Sequence, residues 1–199
     1  LFNKKKGGKS AVDSVVVLCP NLKSPNTLCT LKMLGLLDIK VSHILVRPLF
    51  SLSRLREELQ FSPSFLLKRV KNELINFRKE RKSPDHADLS SLKLNIDCEW
   101  KNVVDAGSEI GAEVFYFDNF NSASCLSRLA SIRPKFGVFT GGGILSKEFL
   151  QQFTNGVIHA HPGILPEYRG MDVVQWAILE GNYSRVGSTC QLMSPKLVN

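Results

Sequence analysis

Short apolar runs rich in β-branched and aromatic residues recur along the chain and are closed by turn-forming residues. Pro20 and Pro48 close the first two runs. Runs of this length and composition are typical of buried strands. The pattern therefore predicts strands at residues 14–19, 41–46, 113–118, 136–140, 156–161 and 188–193.

From residue 51 to residue 82, apolar residues recur at spacings of three, four and seven, which is the period of a helix. A break in this helical segment is expected near Pro63. Ser122 or Ser124 can cap a later helix, which begins at about residue 122. The predicted helices cover residues 51–82, a segment around 100–110, and residues 122–132, 146–153 and 172–180. Alternating strands and helices predict an α/β domain, Rossmann-like and three-layered, with a mostly parallel sheet covered on both faces.

In such a sheet, binding sites lie at the carboxyl ends of the strands. Those ends are predicted at Pro20, Asp118, 140–143 and 159–162. We therefore expect the functional residues of this chain at that edge.

The length of 199 residues suits one buried domain, which we assign to 14–199 behind a flexible basic tail at 1–13. No apolar run approaches the ~18 residues of a membrane span, and no apolar core follows the first lysines, as a secretory signal requires. We therefore expect a cytoplasmic protein without a membrane partner. The five cysteines form no Cys-x-x-Cys pair and are expected to be free thiols.

The formal net charge of +8 is concentrated in two segments, 4–9 and 68–82. A basic balance attracts RNA or phosphorylated metabolites over long range. The simpler alternative is a solvated tail and one solvated helix face. We favour that alternative, because no aromatic residues interleave the basic runs as a single-strand binding platform requires. A nucleic-acid partner therefore remains an open alternative that only the net charge supports.

Two short motifs stand at predicted strand ends. The run Gly141-Gly142-Gly143 allows backbone amides to approach a ligand, although by itself it is better explained by a tight strand-to-helix turn. His159 and His161 lie two residues apart, so a strand places both imidazoles on one face. The pair could begin a metal site, but no third ligand stands nearby, and we expect no metal.

The stretch Val157-Ile-His-Ala-His-Pro-Gly-Ile-Leu-Pro-Glu-Tyr-Arg-Gly170 resembles the signature of the folate-dependent formyltransferases. That family includes glycinamide ribonucleotide, methionyl-tRNA and sugar-nucleotide formyltransferases. Its pattern reads Asn-x-His-Pro-(small)-Leu-Leu-Pro-x-(Tyr/Phe)-(Arg/Lys)-Gly. The flanking segments 142–150, 174–178 and 187–189 also match, so the resemblance covers about residues 136–193 and implies the formyltransferase fold.

The resemblance implies 10-formyltetrahydrofolate as co-substrate and a primary amine as acceptor. His161 would stabilise the oxyanion that develops on the formyl group. His159 stands where the family has an asparagine and would be a second donor to the formyl oxygen. The implied folate-binding residues lie in the glycine turn and the signature loop: Gly143, Leu145, Gly163, Ile164, Leu165 and Pro166.

Two positions depart from the family pattern. Gly143 replaces an arginine that often precedes the Ile-Leu pair. The family's catalytic aspartate is expected at Val198 or Asn199, and neither residue can replace it. The chain is then either a truncated product or one that has lost this aspartate, and the sequence does not separate the two.

The leading hypothesis is formyl transfer to a primary amine, with an amino sugar nucleotide favoured as acceptor. The alternative is a catalytically degenerate folate-binding or scaffold domain. An RNA-binding module is a third hypothesis and rests on net charge alone. The acceptor, the oligomeric state and the role of the basic segment 68–82 are left undetermined by the sequence.

Overall fold

The computed structural model describes residues 14–48, 100–170 and 173–194. The predicted basic tail at 1–13 and the predicted helical segment at 51–82 lie outside these residues. So do Val198 and Asn199, where the family aspartate was expected.

A single six-stranded sheet organises the described residues, in the order β3-β2-β1-β4-β5-β6. The first five strands pair in parallel, and β6 runs antiparallel to β5. The strands are β1 (Val15–Cys19), β2 (Val41–Val46), β3 (Glu113–Tyr116), β4 (Phe136–Phe139), β5 (Val157–His161) and β6 (Thr189–Leu192). All six predicted strands are confirmed, with ends that differ by at most two residues.

The central strand β1 shows why its sequence is continuously apolar. Val16 and Leu18 point into one core cluster, and Val17 and Cys19 point into the other. All of β1 is buried because helices cover both faces of a parallel sheet. The predicted three-layer α/β architecture is therefore confirmed.

Within the described ranges, the helices are α1 (Pro25–Leu36), α2 (Val103–Ile110), α3 (Ala123–Ile132), α4 (Lys147–Leu150) and α5 (Val173–Leu179), followed by a 3-10 turn at Tyr183–Arg185. Residues of α1 and α2 pack in the cluster that holds Val17, and residues of α3 and α4 in the cluster that holds Val16. Side chains cap the first four helices at their amino ends: Ser24, Asn102, Ser122 and Ser146. The predicted cap Ser122 is thus confirmed.

Helix α1 was not predicted. Its apolar residues do not form a separate stripe, because Leu31 is buried while Met33 and Leu36 are 44% and 64% exposed. The available signal was local, namely Ser24 before Pro25, a cap followed by proline in the first helical turn.

The described cysteines Cys19, Cys29, Cys125 and Cys190 are free thiols, as expected, and Cys98 lies outside the described residues. Burial raises the pKa of the Cys125 thiol to about 12. That cysteine therefore behaves as a small apolar core residue.

The strand order reverses direction between β1 and β4: β2 and β3 follow on one side of β1, and β4 and β5 on the other. A crevice opens at such a switch point, outside the carboxyl ends of the strands. The two sequence motifs at 141–143 and 159–161 follow β4 and end β5, so the fold brings both to this crevice.

Candidate active site

Arg47 ties together the strand ends at this edge. Its Nε donates to the carbonyl of Asp118 at 2.8 Å, and its Nη1 donates to the carbonyl of Gly142 at 3.0 Å. These two bonds join the ends of β2, β3 and β4. Arg47 was not predicted, because its contact with Gly142 spans 95 residues and no local pattern signals it.

The glycines of the turn after β4 are required by backbone shape and by space. Gly142 and Gly143 have φ angles of +123° and +105°, which side-chain-bearing residues rarely adopt. A Cβ on Gly142 would lie 2.6 Å from the ring of Phe120, and one on Gly143 would lie 2.6 Å from Nη1 of Arg47. The space beside Gly143, where the resemblance expects an arginine, thus holds a guanidinium supplied by Arg47.

Asn121 holds the chain that leaves the glycine turn. Its Nδ2 donates to the carbonyl of Ile144 at 2.9 Å, and its Oδ1 accepts from the amide of Ser146 at 2.8 Å. Leu145 is only 3% exposed and packs in the core, whereas Ile144 is 72% exposed. Leu145 as a ligand contact stays a prediction, and Ile144 is the apolar side chain that this turn presents to solvent.

His159 lies half-buried near the end of β5, with one ring nitrogen committed. Its Nδ1 is 2.9 Å from the carbonyl of Phe139, and its ring meets the Phe139 ring edge-on at 5.1 Å between centroids. A carbonyl only accepts, so Nδ1 carries the hydrogen. In the neutral ring, Nε2 therefore presents a lone pair and donates nothing.

The surroundings favour that neutral ring. Burial lowers the pKa of His159 below its ordinary value, and the nearby His161 lowers it further, while the Phe139 carbonyl opposes both. The expectation that His159 donates to the formyl oxygen thus holds for the protonated ring alone, which its environment disfavours.

The lowered pKa of His159 predicts that stability rises with pH across the imidazole range. The unfolded ring titrates near about 6.5 and the folded ring lower, so the unfolded state binds more protons between the two values. The free energy of unfolding should therefore fall as the pH drops below about 6.5, and His159→Gln should reduce that slope. Denaturant titrations from pH 5 to pH 8 measure it.

His43 provides a second case for this measurement, because burial also lowers its pKa. The single variants His159→Gln and His43→Gln should each reduce the slope, and the double variant should reduce it most. An unchanged slope in His159→Gln would contradict the assignment.

His161 is buried and has the opposite nitrogen committed. Its Nε2 donates to the carbonyl of Tyr168 at 2.8 Å, and its ring centroid is 5.9 Å from that of His159. The two rings therefore share one face, as predicted. Because Nε2–H is engaged, His161 can donate a second hydrogen bond only from Nδ1 of the protonated ring.

The signature loop is shaped around this bond. A Cβ on Gly163 would lie 2.9 Å from the carbonyl oxygen of Tyr168 and 3.2 Å from Nε2 of His161. Glycine at 163 thus leaves room for the hydrogen bond that orients the ring. The spacing of His161, Gly163 and Tyr168 in the sequence has this geometric reason.

Thr189, the first residue of β6, anchors the loop to the sheet. Its hydroxyl donates to the carbonyl of Gly163 at 2.7 Å and accepts from the amide of Leu165 at 3.2 Å. Ile164 and Leu165 are half-buried, and Pro166 is exposed. The structure therefore places these four predicted loop residues in one anchored segment that directly follows His161.

A cavity of about 410 Å³ lies beside the same loop and is lined by residues that include Tyr168, Trp176, Glu180 and Arg185. The Tyr168 hydroxyl donates to Glu180 at 2.6 Å, and Arg185 pairs with Glu167 at 3.2 Å. The two histidines do not line it. Tyr168 is the link, because its carbonyl accepts from His161 while its side chain lines the cavity.

Across residues 14–48, 100–170 and 173–194, no three His, Cys, Asp or Glu side chains come together as a metal site would need. In the same part of the chain, no helix combines the length and the apolar character needed to cross a membrane.

Comparison with known proteins shows what this segment of the chain is similar to. Residues 110–197 match the family model described as formyl transferase. The chain is 47% identical over 60 residues to the methionyl-tRNA formyltransferase of Borreliella afzelii, a match covering 30% of this chain and 19% of the relative. It is 38% identical over 65 residues to the methionyl-tRNA formyltransferase of Thermodesulfovibrio yellowstonii, a match that covers 32% of this chain and 20% of that relative. The matched segment thus spans about a fifth of these relatives.

Solved structures show the same fold over more of the chain. The glycinamide ribonucleotide transformylase 1 of Symbiobacterium toebii superposes with a TM-score of 0.54, at 14% identity, covering 96% of this chain and 72% of that protein. This likeness shows the fold, and the predicted formyltransferase fold is confirmed.

Proposed function

We propose that the protein transfers a formyl group from 10-formyltetrahydrofolate to a primary amine, because residues 110–197 match the formyl transferase family model. The observation that carries this proposal is the pair of imidazoles on one face of β5 at the carboxyl edge of the sheet, 5.9 Å apart between centroids. Each ring is oriented by a backbone carbonyl, which leaves the other nitrogen available for chemistry.

In this reaction the amine attacks the formyl carbon, and negative charge develops on the formyl oxygen. Protonated His161 donates its Nδ1–H to that oxygen. The Tyr168 carbonyl accepts from Nε2, so it orients the ring before the charge appears. A donor fixed in advance in a site that excludes water stabilises such a charge strongly.

The folate would lie between the glycine turn and the signature loop. Gly143 and the neighbouring Ile144 form one side, and residues 163–166 form the other. Both sides are held in place, the first by Arg47 and Asn121 and the second by Thr189. Anchoring of this kind keeps a pocket preformed, which lowers the entropy lost on binding.

For the acceptor, the named relatives favour methionyl-tRNA over the amino sugar nucleotide expected from the sequence. The matched relatives quoted above are methionyl-tRNA formyltransferases, and the net charge of +8 suits a polyanionic acceptor. The acceptors to compare are therefore methionyl-tRNA, glycinamide ribonucleotide and an amino sugar nucleotide.

The first test is folate binding. The ligand 5-formyltetrahydrofolate is a stable stand-in for the donor. At a hundredfold excess over its dissociation constant, it should stabilise the native protein by about 2.7 kcal/mol, which a thermal shift assay detects. The shift should shrink in His161→Ala and persist in His43→Ala, whose ring lies near the start of β2. Each variant is compared with its own ligand-free midpoint. Absence of a shift in the native protein would contradict the proposed function.

A further inference from the structure

The two histidines differ in what they can offer a substrate. His161 uses its Nε2–H on the Tyr168 carbonyl, and His159 uses its Nδ1–H on the Phe139 carbonyl. Within the residues that the structure describes, Nε2 of His159 makes no hydrogen bond. This nitrogen is a lone-pair acceptor on the same face as His161.

The neighbours of His159 favour its neutral form. Phe139 packs against it from β4, Gln191 is its partner on β6, and neither carries a charge. Among the described residues, the titratable neighbour that acts on it is His161. A positive charge on His161, which its proposed role requires, opposes a second positive charge 5.9 Å away.

We propose that His159 is the proton acceptor for the attacking amine. This role rests on the formyl transfer proposed above, and it differs from that of a second donor to the formyl oxygen. His161 supplies positive charge to the oxygen, and His159 supplies a lone pair to the nitrogen. One strand end thereby carries both halves of an acid–base pair.

The proton balance is closed without any further reactant. The amine nitrogen bonds to the formyl carbon and becomes positively charged, and Nε2 of His159 takes one of its protons. The bond between the formyl carbon and N10 of the folate then breaks, and N10 receives that proton from His159. The products are the formylated amine and tetrahydrofolate, and His159 returns to its neutral form.

The first arm of the test does not depend on activity. Nitrogen NMR of the full-length protein labelled with ¹⁵N in histidine distinguishes a protonated ring nitrogen from an unprotonated one. At neutral pH, the His159 ring should show a protonated Nδ1 and an unprotonated Nε2, with signals assigned by their loss in His159→Asn. A protonated Nε2 on neutral His159 would overturn the proposal.

The second arm measures kcat and KM for formyl transfer across pH. His159→Asn keeps a donor and removes the base, so kcat should fall by about 10²- to 10⁴-fold, the range expected for general base catalysis. The acid limb of the native profile should vanish with it. His43→Asn, the same change on β2, which β1 and β4 separate from β5, should keep the native profile. In His159→Ala, added imidazole should restore the rate in proportion to its free-base concentration.

The outcomes separate the two proposals. Transfer by the native protein, together with an unchanged rate and acid limb in His159→Asn, would overturn the role of His159 and leave formyl transfer standing. Absence of transfer to every acceptor, with the expected tautomer seen by NMR, would overturn formyl transfer, and the catalytic role of His159 with it. Failure of imidazole to rescue His159→Ala would also count against the base.

Discussion

Replacement of His161 by alanine is expected to lower kcat/KM for formyl transfer by about 10²- to 10³-fold, the usual loss when one oxyanion donor is removed. The ring is buried, and the Tyr168 carbonyl at 2.8 Å holds its Nε2. Its orientation is therefore set before substrate binds. Because the charge it stabilises exists mainly in the transition state, most of the loss should appear in kcat. Steady-state kinetics with a saturating acceptor measure the split.

Two further variants separate chemistry from folding in this experiment. His161→Asn retains a neutral donor and should lose less than His161→Ala. Cys190→Ser changes an exposed residue on β6, opposite Ala160 of the same strand pair, and should keep native kinetics. Equal kcat values for the native protein and His161→Ala would contradict the assignment of His161 as the oxyanion donor.

Phe149→Ala is expected to cost about 3–5 kcal/mol of unfolding free energy, the usual range for truncating a fully buried phenylalanine. Phe149 has no exposed surface, and its ring packs between Phe120 at 6.0 Å and Phe153 at 5.5 Å. Phe120 in turn lies against Gly142, so this core supports the glycine turn from below. Urea denaturation followed by circular dichroism measures the loss.

The matched control is Leu179→Ala, an aliphatic truncation on α5 at a position 75% exposed. Surface changes of this kind stay within about 0.5 kcal/mol. If Phe149→Ala cost no more than Leu179→Ala, the ring cluster would not be the main support of this face of the sheet.

The central strand β1 was predictable because burial on both faces requires an uninterrupted apolar run, which can be recognised in sequence. The helix α3 was equally clear, since its apolar spacing and the Ser122 cap agree. The helix α1 was not predicted because only two of its residues, Thr27 and Leu31, are buried. So few buried positions leave little helical periodicity of apolar residues in the sequence. The segment 51–82 lies outside the described residues, so its helical prediction stays a prediction.

For the site, the sequence by itself placed the two histidines and the glycine turn at the carboxyl edge. The two-residue spacing puts His159 and His161 on one face of any strand, and the glycines mark a turn that only they can form. The resemblance at 157–170 added an expected chemistry to those positions. All of this follows from local patterns, because each depends on neighbours within a few residues along the chain.

Only the tertiary structure decided what each ring nitrogen can do. Nδ1 of His159 meets a carbonyl 20 residues away on β4, and Arg47 meets carbonyls 71 and 95 residues away. Such contacts join elements that the chain separates widely, so no local pattern encodes them. The sequence therefore determines that the histidines and the glycines stand at the edge. The packing of distant strands brings Arg47 to them and determines which groups donate and which accept.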